Sequence, residues 1–477
     1  MSLLRTWIAR GSIVSAAPIV EYGSRFVRTA VLSRLLGPSE FGVSVAITTV
    51  IAIASLVSDL SLDKFVVLHS AEDQPRSLAA AHLLTIARGL LLALVLLATA
   101  SATAAIFGVP QYTKSFIVAA LFPFIGSFAH LSIKQIQQRF QYAQETVAQL
   151  ITQLSALVMV IAAAYYFRDH RAILASFLTE ASVYTIISHF LASDRYRIYS
   201  DWATIRQAAI FGAPLLLNGL GLAAMAQLDR MLVGSWLGVE TLADYAVILS
   251  LAILPTSLVF RVFGTMTAPS LLRYRNQPSY SSHYVLLMFF TDLLAVSYSL
   301  FAALVLDWLT PAIFGQAYRV SYGVHLIIVL TVFMRLLRGM APTTHFLVAG
   351  RTGELARLNM LSGVGLLCAF GLLHYWLSIE AVLLGLLIGD GISNAFVFFA
   401  SSAKGAGGRP RGLLLADLAM SFITLAVVTG MLFWHPQPTW SARIAICLVG
   451  LIGIAAQAAV GFRNHGGIEL LLRRTAV

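Results

Sequence analysis

Charge is what this sequence has least of. Only 11% of its 477 residues are Asp, Glu, Lys or Arg, where a soluble globular chain carries about 25%. No polar stretch is long enough to enclose a core of its own, which excludes a separable soluble domain. Cysteine is nearly absent: Cys368 and Cys447 both lie in apolar runs and form no metal or redox pattern. His82, His130, His189, His325, His345 and His374 are dispersed without ligand spacing, which favours packing roles over a metal site. The loops hold no nucleotide-sugar motif. The Gly cluster in "SSAKGAGGRPR" (401–411) follows no strand and precedes no Lys-Ser/Thr pair, so it is a linker rather than a phosphate loop. The opening "MSLLRTWIARGS" lacks the features of a cleavable signal, because the apolar run after it carries Glu21, Arg25 and Arg28 and ends in no small-residue cleavage site.

What is abundant is apolar sequence. Hydrophobic residues make up 58% of the chain and the mean hydropathy is +0.83. About 20 helical residues cross the roughly 30 Å hydrocarbon layer, and fourteen apolar runs of that order can be counted. They lie at 11–33, 40–63, 78–107, 114–133, 145–167, 172–192, 207–234, 241–268, 281–307, 320–347, 353–376, 379–400, 412–434 and 441–462. The expected fold is therefore an all-α polytopic membrane protein. "LSRLLGPSEFGV" (32–43) reads as a tight turn between the first two spans, with Gly37-Pro38 stopping one helix and Ser39-Glu40 starting the next.

The net charge of +11 belongs to membrane topology rather than to nucleic-acid binding. With the N-terminus placed in the cytoplasm, nineteen of the 32 basic residues fall in inner segments, six in outer turns and seven inside spans, as the positive-inside rule requires. Two of the inner connections are 193–206 and 401–411. They divide the chain into an N-lobe at 1–192, a linker at 193–206, a C-lobe at 207–400, a linker at 401–411, and two C-terminal spans with a tail at 412–477.

The opening pattern recurs. "VLSRLLGPSEFGVSVAITTVIAIASL" from residue 31 aligns at an offset of 201 with "MLVGSWLGVETLADYAVILSLAILPTSL" from residue 231, so that Leu36-Gly37 meets Leu237-Gly238. Repeated halves of spanning helices are a transporter signature.

"LSRLLGPSEFG", the span ending in "SDLSLD", and "FGAPLLLNGLGLAAMAQLDRMLVGSWLGVETLADYAV" (211–247) resemble the polysaccharide-export branch of the multidrug/oligosaccharidyl-lipid/polysaccharide (MOP) flippase superfamily. The resemblance covers about residues 8 to 400. It implies two six-helix lobes related by a pseudo-twofold axis around a central cavity, with two added C-terminal helices. It also implies an undecaprenyl-diphosphate-linked oligosaccharide as cargo, moved across the bacterial inner membrane without a cofactor or metal. Membrane lipids and polysaccharide polymerase machinery are the implied partners, and nucleic acid is not one.

Charges inside spans are expensive, at about 2.5–3.5 kcal/mol each on insertion scales, and mark function by default. Glu21, Arg25 and Arg28 share one face of the first span, which Pro18 can bend. Arg335 and Arg338 share a face of the tenth. Arg25, Arg28, Arg335 and Arg338, with Arg88 and Arg261, are the candidate ligands for a diphosphate, since the guanidinium fork matches phosphate oxygens. Glu21, Asp292 and Asp390, all near mid-span, are the candidates for ion coupling. The competing reading of each arginine is an internal salt bridge. Two other functions compete: an ion-coupled multidrug exporter, which would favour an acidic, aromatic cavity, and a membrane enzyme of polysaccharide assembly, which would need a larger extramembrane loop.

The charge bias makes a topological prediction. Reporter fusions in 193–206 and 401–411 should both read as cytoplasmic, and a periplasmic signal from either loop would contradict the span assignment.

Overall fold

The computed structural model describes residues 20–68, 74–135, 143–198, 201–277, 280–318, 321–403, 411–434 and 440–465, and every regular element among them is helical. Packing divides the chain into two compact units, Met1–Val247 and Ile248–Val477.

The first unit contains α1 (20–35), α2 (Pro38–Val57), α3 (Leu62–Leu68), α4 (Gln74–Ile106), α5 (Thr113–Ala119), α6 (Leu121–Gly126) and α7 (Ser132–Gln135). These are followed by α8 (Ala143–Phe167), α9 (Arg171–Phe190), α10 (Trp202–Leu237) and the start of α11 (Val239–Ala252). The second unit continues with α12 (Leu254–Tyr274), α13 (Tyr280–Phe314), α14 (Tyr322–Gly339), α15 (Ala341–Val348), α16 (Thr352–Tyr375), α17 (Ile379–Ala403), α18 (Arg411–Trp434) and α19 (Trp440–His465). Ten stretches among the described residues are long and apolar enough to cross a membrane, so the chain is a multi-pass membrane protein.

Most expected spans emerge as single helices, but four are interrupted: the run 40–63 at residues 58–61, between α2 and α3, and three more where a proline lies at a break. The run 114–133 divides into α5, α6 and α7. Pro123 has no N–H for the Ala119 carbonyl, and α5 ends at that residue. The run 241–268 breaks at Ile253, where Pro255 begins α12. The run 320–347 breaks at Met340, where Pro342 begins α15. At the last two breaks a hydroxyl occupies a carbonyl left without its helical donor: Arg338 O, for which Pro342 has no N–H, and Ala252 O, since Thr256 N bonds Ile253 O. Tyr298 Oη donates to Ala252 O at 2.9 Å, and Thr343 Oγ1 donates to Arg338 O at 3.1 Å. In hydrocarbon, an unmet backbone carbonyl would cost several kcal/mol. The expected span at 11–33 is described only from residue 20.

The repeated hairpins keep the register read from the sequence. Leu36-Gly37 precedes α2, and Leu237-Gly238 precedes α11. The two glycines do different work. Gly238 adopts φ +87°, which demands glycine. Gly37 is extended at φ −67° and ψ 163°, the conformation imposed by the proline after it.

The helix α10 packs with the first unit because it runs antiparallel along α2 at backbone distance. A Cβ on Gly42 would stand 1.9 Å from the Val239 carbonyl oxygen, and one on Gly219 would stand 2.2 Å from that of Leu56. Farther along, a Cβ on Gly212 would press on Leu60. Lipid tails supply no hydrophobic drive between spans, so small residues that let backbones approach are the means of pairing them. The division of the two units therefore falls after α10, at Val247 and Ile248.

In the second unit, α18 and α19 pack on each other and on α13. Gly453 accommodates Thr424, and Arg443 holds Asp307 bidentately at 2.9 and 2.6 Å.

Gly219→Leu should separate α2 from α10 and destabilise the protein by about 3 kcal/mol, at the upper end of overpacking costs. Gly221→Leu should be near neutral, since a Cβ there meets nothing within 4 Å. Thermal melting of the detergent-purified variants checks this, and equal melting temperatures would refute the close crossing.

Candidate functional site

The polar step in "GPSEFG" is a three-way tie in the first unit. Glu40 Oε1 accepts from Tyr112 Oη at 2.6 Å. Its Oε2 accepts from the His170 backbone N–H at 3.0 Å and lies 2.7 Å from His170 Nδ1. His170 Nε2 lies 2.6 Å from Ser115 Oγ. One carboxylate thus joins the start of α2 to the connections α4–α5 and α8–α9. The hydrogen bond to Glu40, with burial, pushes the Tyr112 hydroxyl up to about 12.

Deeper in this unit the candidate charges are paired one to one. Arg25 Nη2 meets Glu21 at 2.7 Å, and the Arg25 side chain is 59% exposed. Arg28 turns away to α9, where its Nη2 donates to Glu180 Oε2 at 3.1 Å and its guanidinium lies 5.6 Å from the Phe177 ring centre. Gln153 on α8 donates to the other oxygen of Glu180 at 3.2 Å. Arg25 and Arg28, expected to act together, thus have separate carboxylates. Arg88 lies 3.7 Å from Asp59. Asp229 accepts from Tyr245 Oη at 2.8 Å.

The second unit gathers charge differently. The glycines in "GLLIG" (385–389) form a helix contact: a Cβ on Gly385 would meet Ala369, and one on Gly389 would meet Gly365 and the Ser362 carbonyl. This backbone-close crossing of α16 and α17 brings Ser362 Oγ to 3.1 Å from Asp390 Oδ1. Two arginines of α14 reach the same carboxylate. Arg335 Nε donates to Oδ2 at 3.0 Å, and Arg338 Nη2 lies 3.1 Å from Oδ1. Asp390 is 2% exposed. One turn on, Asn394 donates to the Met334 carbonyl at 2.9 Å and anchors α17 to α14. Arg335, Ser362 and Asp390 each lie about halfway along their apolar stretches, Gly323–Val348, Thr352–Tyr375 and Ile379–Ala400. Here two guanidiniums share one carboxylate among the described residues.

The two clusters have a common plan. In each, an acid halfway along one helix is held by a polar side chain from the helix before it and by arginine from a third helix. Gln153, Glu180 and Ser362 belong to these clusters and were absent from the sequence-based set. Their signal was a polar residue at the midpoint of an apolar run.

Asp292 lies elsewhere. Its Oδ2 accepts from Ser421 Oγ at 2.8 Å and Gln457 Nε2 at 2.7 Å, which fastens α18 and α19 to α13. The Arg261 side chain lies outside the described residues. His82, His130 and His189 gather around Tyr196, and each bonds a backbone carbonyl at 2.9–3.2 Å, which is a packing arrangement. Among the described residues no group of His, Cys, Asp and Glu could hold a metal ion.

An all-helical bundle with proline-broken spans and charge clusters at mid-membrane depth is the architecture of a multi-pass transporter. A family model for polysaccharide biosynthesis proteins matches residues 31–322. The chain belongs to that family, within the MOP superfamily. A search of curated proteins finds no match. Among solved structures, the chain is similar to the inward-facing conformation of a multidrug resistance MATE family transporter of the MOP superfamily. The TM-score is 0.56 at 14% identity, over 81% of this chain and 94% of that one. It is similar to a mutant of the Vibrio cholerae MATE transporter VcmN, with a TM-score of 0.56 at 12% identity, over 85% and 98% of the two chains. It is also similar to a MOP superfamily transporter from Pyrococcus furiosus, with a TM-score of 0.53 at 14% identity, over 82% and 95%. At these identities the likeness is one of fold.

The Glu40 tie predicts a pH dependence. Tyr112 has its pKa raised above the ordinary 10.0, so its contribution to stability is whole below pH 10 and is lost as pH rises through about 12. Y112F should remove that alkaline loss, and E40Q should lower the melting temperature at neutral pH. Identical alkaline melting of wild type and Y112F would contradict the tie.

Proposed function

We propose that this transporter is a flippase for a polyprenyl-diphosphate-linked oligosaccharide, serving polysaccharide assembly at the bacterial inner membrane with both termini in the cytoplasm. The sugars and diphosphate cannot cross hydrocarbon unaided, whereas the polyprenyl tail can stay in lipid throughout. What the protein must supply is a set of donors at mid-membrane depth that replaces the water around the phosphates. No covalent step is required, so the proposal is for a transporter and not an enzyme.

The observation that carries this reading is the convergence of Arg335 and Arg338 on Asp390 halfway through three spans. A cluster with more guanidinium than carboxylate suits an anion, and the planar fork of arginine suits phosphate oxygens. The same cluster opposes cationic drugs. The Pyrococcus furiosus neighbour is described as having a binding pocket of reversed polarity that suggests a different function, which supports a MOP fold that is not committed to cationic cargo. The family, described by polysaccharide biosynthesis, supplies the sugar. Arg28 and Arg25, with Arg88 and Arg261, are proposed as further phosphate contacts during the cycle. Glu21, Asp292 and Asp390 are the acids proposed to link that cycle to an ion gradient.

The reading is tested in a strain lacking its own flippase. Wild type should restore polysaccharide export. R335A and R338A should reach the membrane in normal amount yet each weaken export roughly ten- to a hundredfold, the worth of one charged hydrogen bond to phosphate. Lysine at either position should rescue in part. Full export by the double alanine variant would remove the phosphate role from this cluster.

A further inference from the structure

We infer that Asp390 is a built-in stand-in for the ligand's phosphate, a carboxylate that occupies the two arginines until an anion displaces it. The inference rests on the anion-binding reading above and adds to it a competition within the site. Three features of the cluster lead to it.

The first is stoichiometry. A half-buried carboxylate can be satisfied by one guanidinium and one neutral donor, the arrangement around Glu180, which has the guanidinium of Arg28 and the amide of Gln153. Asp390 has a hydroxyl from Ser362 and two guanidiniums, one at each oxygen. The second arginine adds another insertion penalty and is not needed to neutralise the acid. Two forks aimed at the two oxygens of one small anion are how a protein grips phosphate.

The second is that the tie is divisible. Asn394, one turn along α17, holds the Met334 carbonyl on α14 independently of the carboxylate, and its side chain also donates to its own helix at Asp390 O, 2.8 Å away. Withdrawing the carboxylate would therefore leave α14 and α17 joined at Asn394. The third is that Arg338 lies in the last turn of α14, two residues before the break at Met340, so this end of α14 is not locked into a continuous helix. The groups facing Asp390 are Arg335 and Arg338 from α14, Ser362 from α16 and Asn394 from its own helix. Among the described residues only the two arginines there are charged.

It follows that anion entry and release of the ionic tie between α14 and α17 are one event. The ligand does not add to a vacant site but exchanges with the carboxylate, so the resting protein keeps both arginines on Asp390 and gives them up only to a stronger anion. The sign of one substitution separates this from a purely structural salt bridge. Removing the charge of a structural partner weakens whatever the cluster binds. Removing the charge of a competitor strengthens it.

The test is calorimetric titration of the full-length protein in detergent with farnesyl diphosphate, and in a parallel arm with inorganic pyrophosphate. D390N keeps the side-chain volume and a partner for Ser362 but withdraws the charge. It should bind farnesyl diphosphate at least about tenfold more tightly than wild type, while R335A and R338A bind it at least about tenfold more weakly. S362A, which only loosens the carboxylate, should tighten binding by a smaller factor and stands in should D390N fail to accumulate. Pyrophosphate showing the same order of variants places the competition at the phosphates; an order seen with the farnesyl lipid alone places it at the lipid tail and overturns the stand-in. If the arginine variants weaken binding while D390N and S362A leave it equal or weaker, the stand-in is wrong and the anion reading survives. If the arginine variants bind as wild type does, both fall.

Discussion

The constraint on which this structure depends is the cost of polar groups in hydrocarbon. Every charge and every unpaired carbonyl at mid-membrane depth must find its partner inside the protein, because neither water nor lipid will supply one. That requirement accounts for the local architecture at each interruption. Where Pro342 removes a backbone donor, Thr343 provides a hydroxyl, and at the break before Pro255 Tyr298 caps the Ala252 carbonyl. Where Asp292 is buried, Ser421 and Gln457 meet one of its oxygens and in doing so attach the two C-terminal helices. Arg25, Arg28, Arg88, Arg335 and Arg338 are each received by an acid, one turn away for Arg25 and elsewhere in the fold for the others.

Close backbone approach is the means by which these partners meet. Gly219 sets α10 against α2, Gly42 seats the start of α11 on α2 and Gly212 seats Leu60 on α10, while Gly365, Gly385 and Gly389 set α16 against α17. The last contact matters for function, since it places Ser362 and Asp390 within hydrogen-bonding distance of each other and under the arginines of α14. On the proposed function, this puts two guanidiniums at the depth where a translocated headgroup would most need replacement contacts. A site that held its ligand by exchange rather than by strength would suit a transporter that must also let go.

Much of the fold was legible in the sequence because hydropathy and turn chemistry act locally. The spans, the Gly37-Pro38 turn and the repeated hairpin needed no tertiary information, and neither did the i,i+4 pairing of Glu21 with Arg25. The breaks within α5 to α7, α11 to α12 and α14 to α15 were overlooked because hydropathy is blind to a missing N–H, although Pro123, Pro255 and Pro342 were in view. The charge clusters were only half legible. The shared face of Arg335 and Arg338 follows from helical spacing, but their common partner Asp390 lies 55 and 52 positions away and is brought in by a crossing of α16 and α17 that periodicity does not encode. Arg28 shows the converse: spacing grouped it with Arg25, and packing turned it instead to Glu180. The gathering of His82, His130 and His189 around Tyr196 is likewise a property of the folded chain alone.

The central claim is that this protein moves a lipid-linked anion, and it is tested most directly by reconstitution. Purified protein in liposomes would be given a fluorescent oligosaccharide on a polyprenyl diphosphate, and loss of signal to a membrane-impermeant quencher would report arrival in the outer leaflet. The account predicts protein-dependent quenching of the initially protected inner-leaflet pool, with no such acceleration for the same oligosaccharide on a neutral polyprenol. Equal rates for the charged and the neutral lipid, or none for either alongside active transport of cationic drugs, would contradict it.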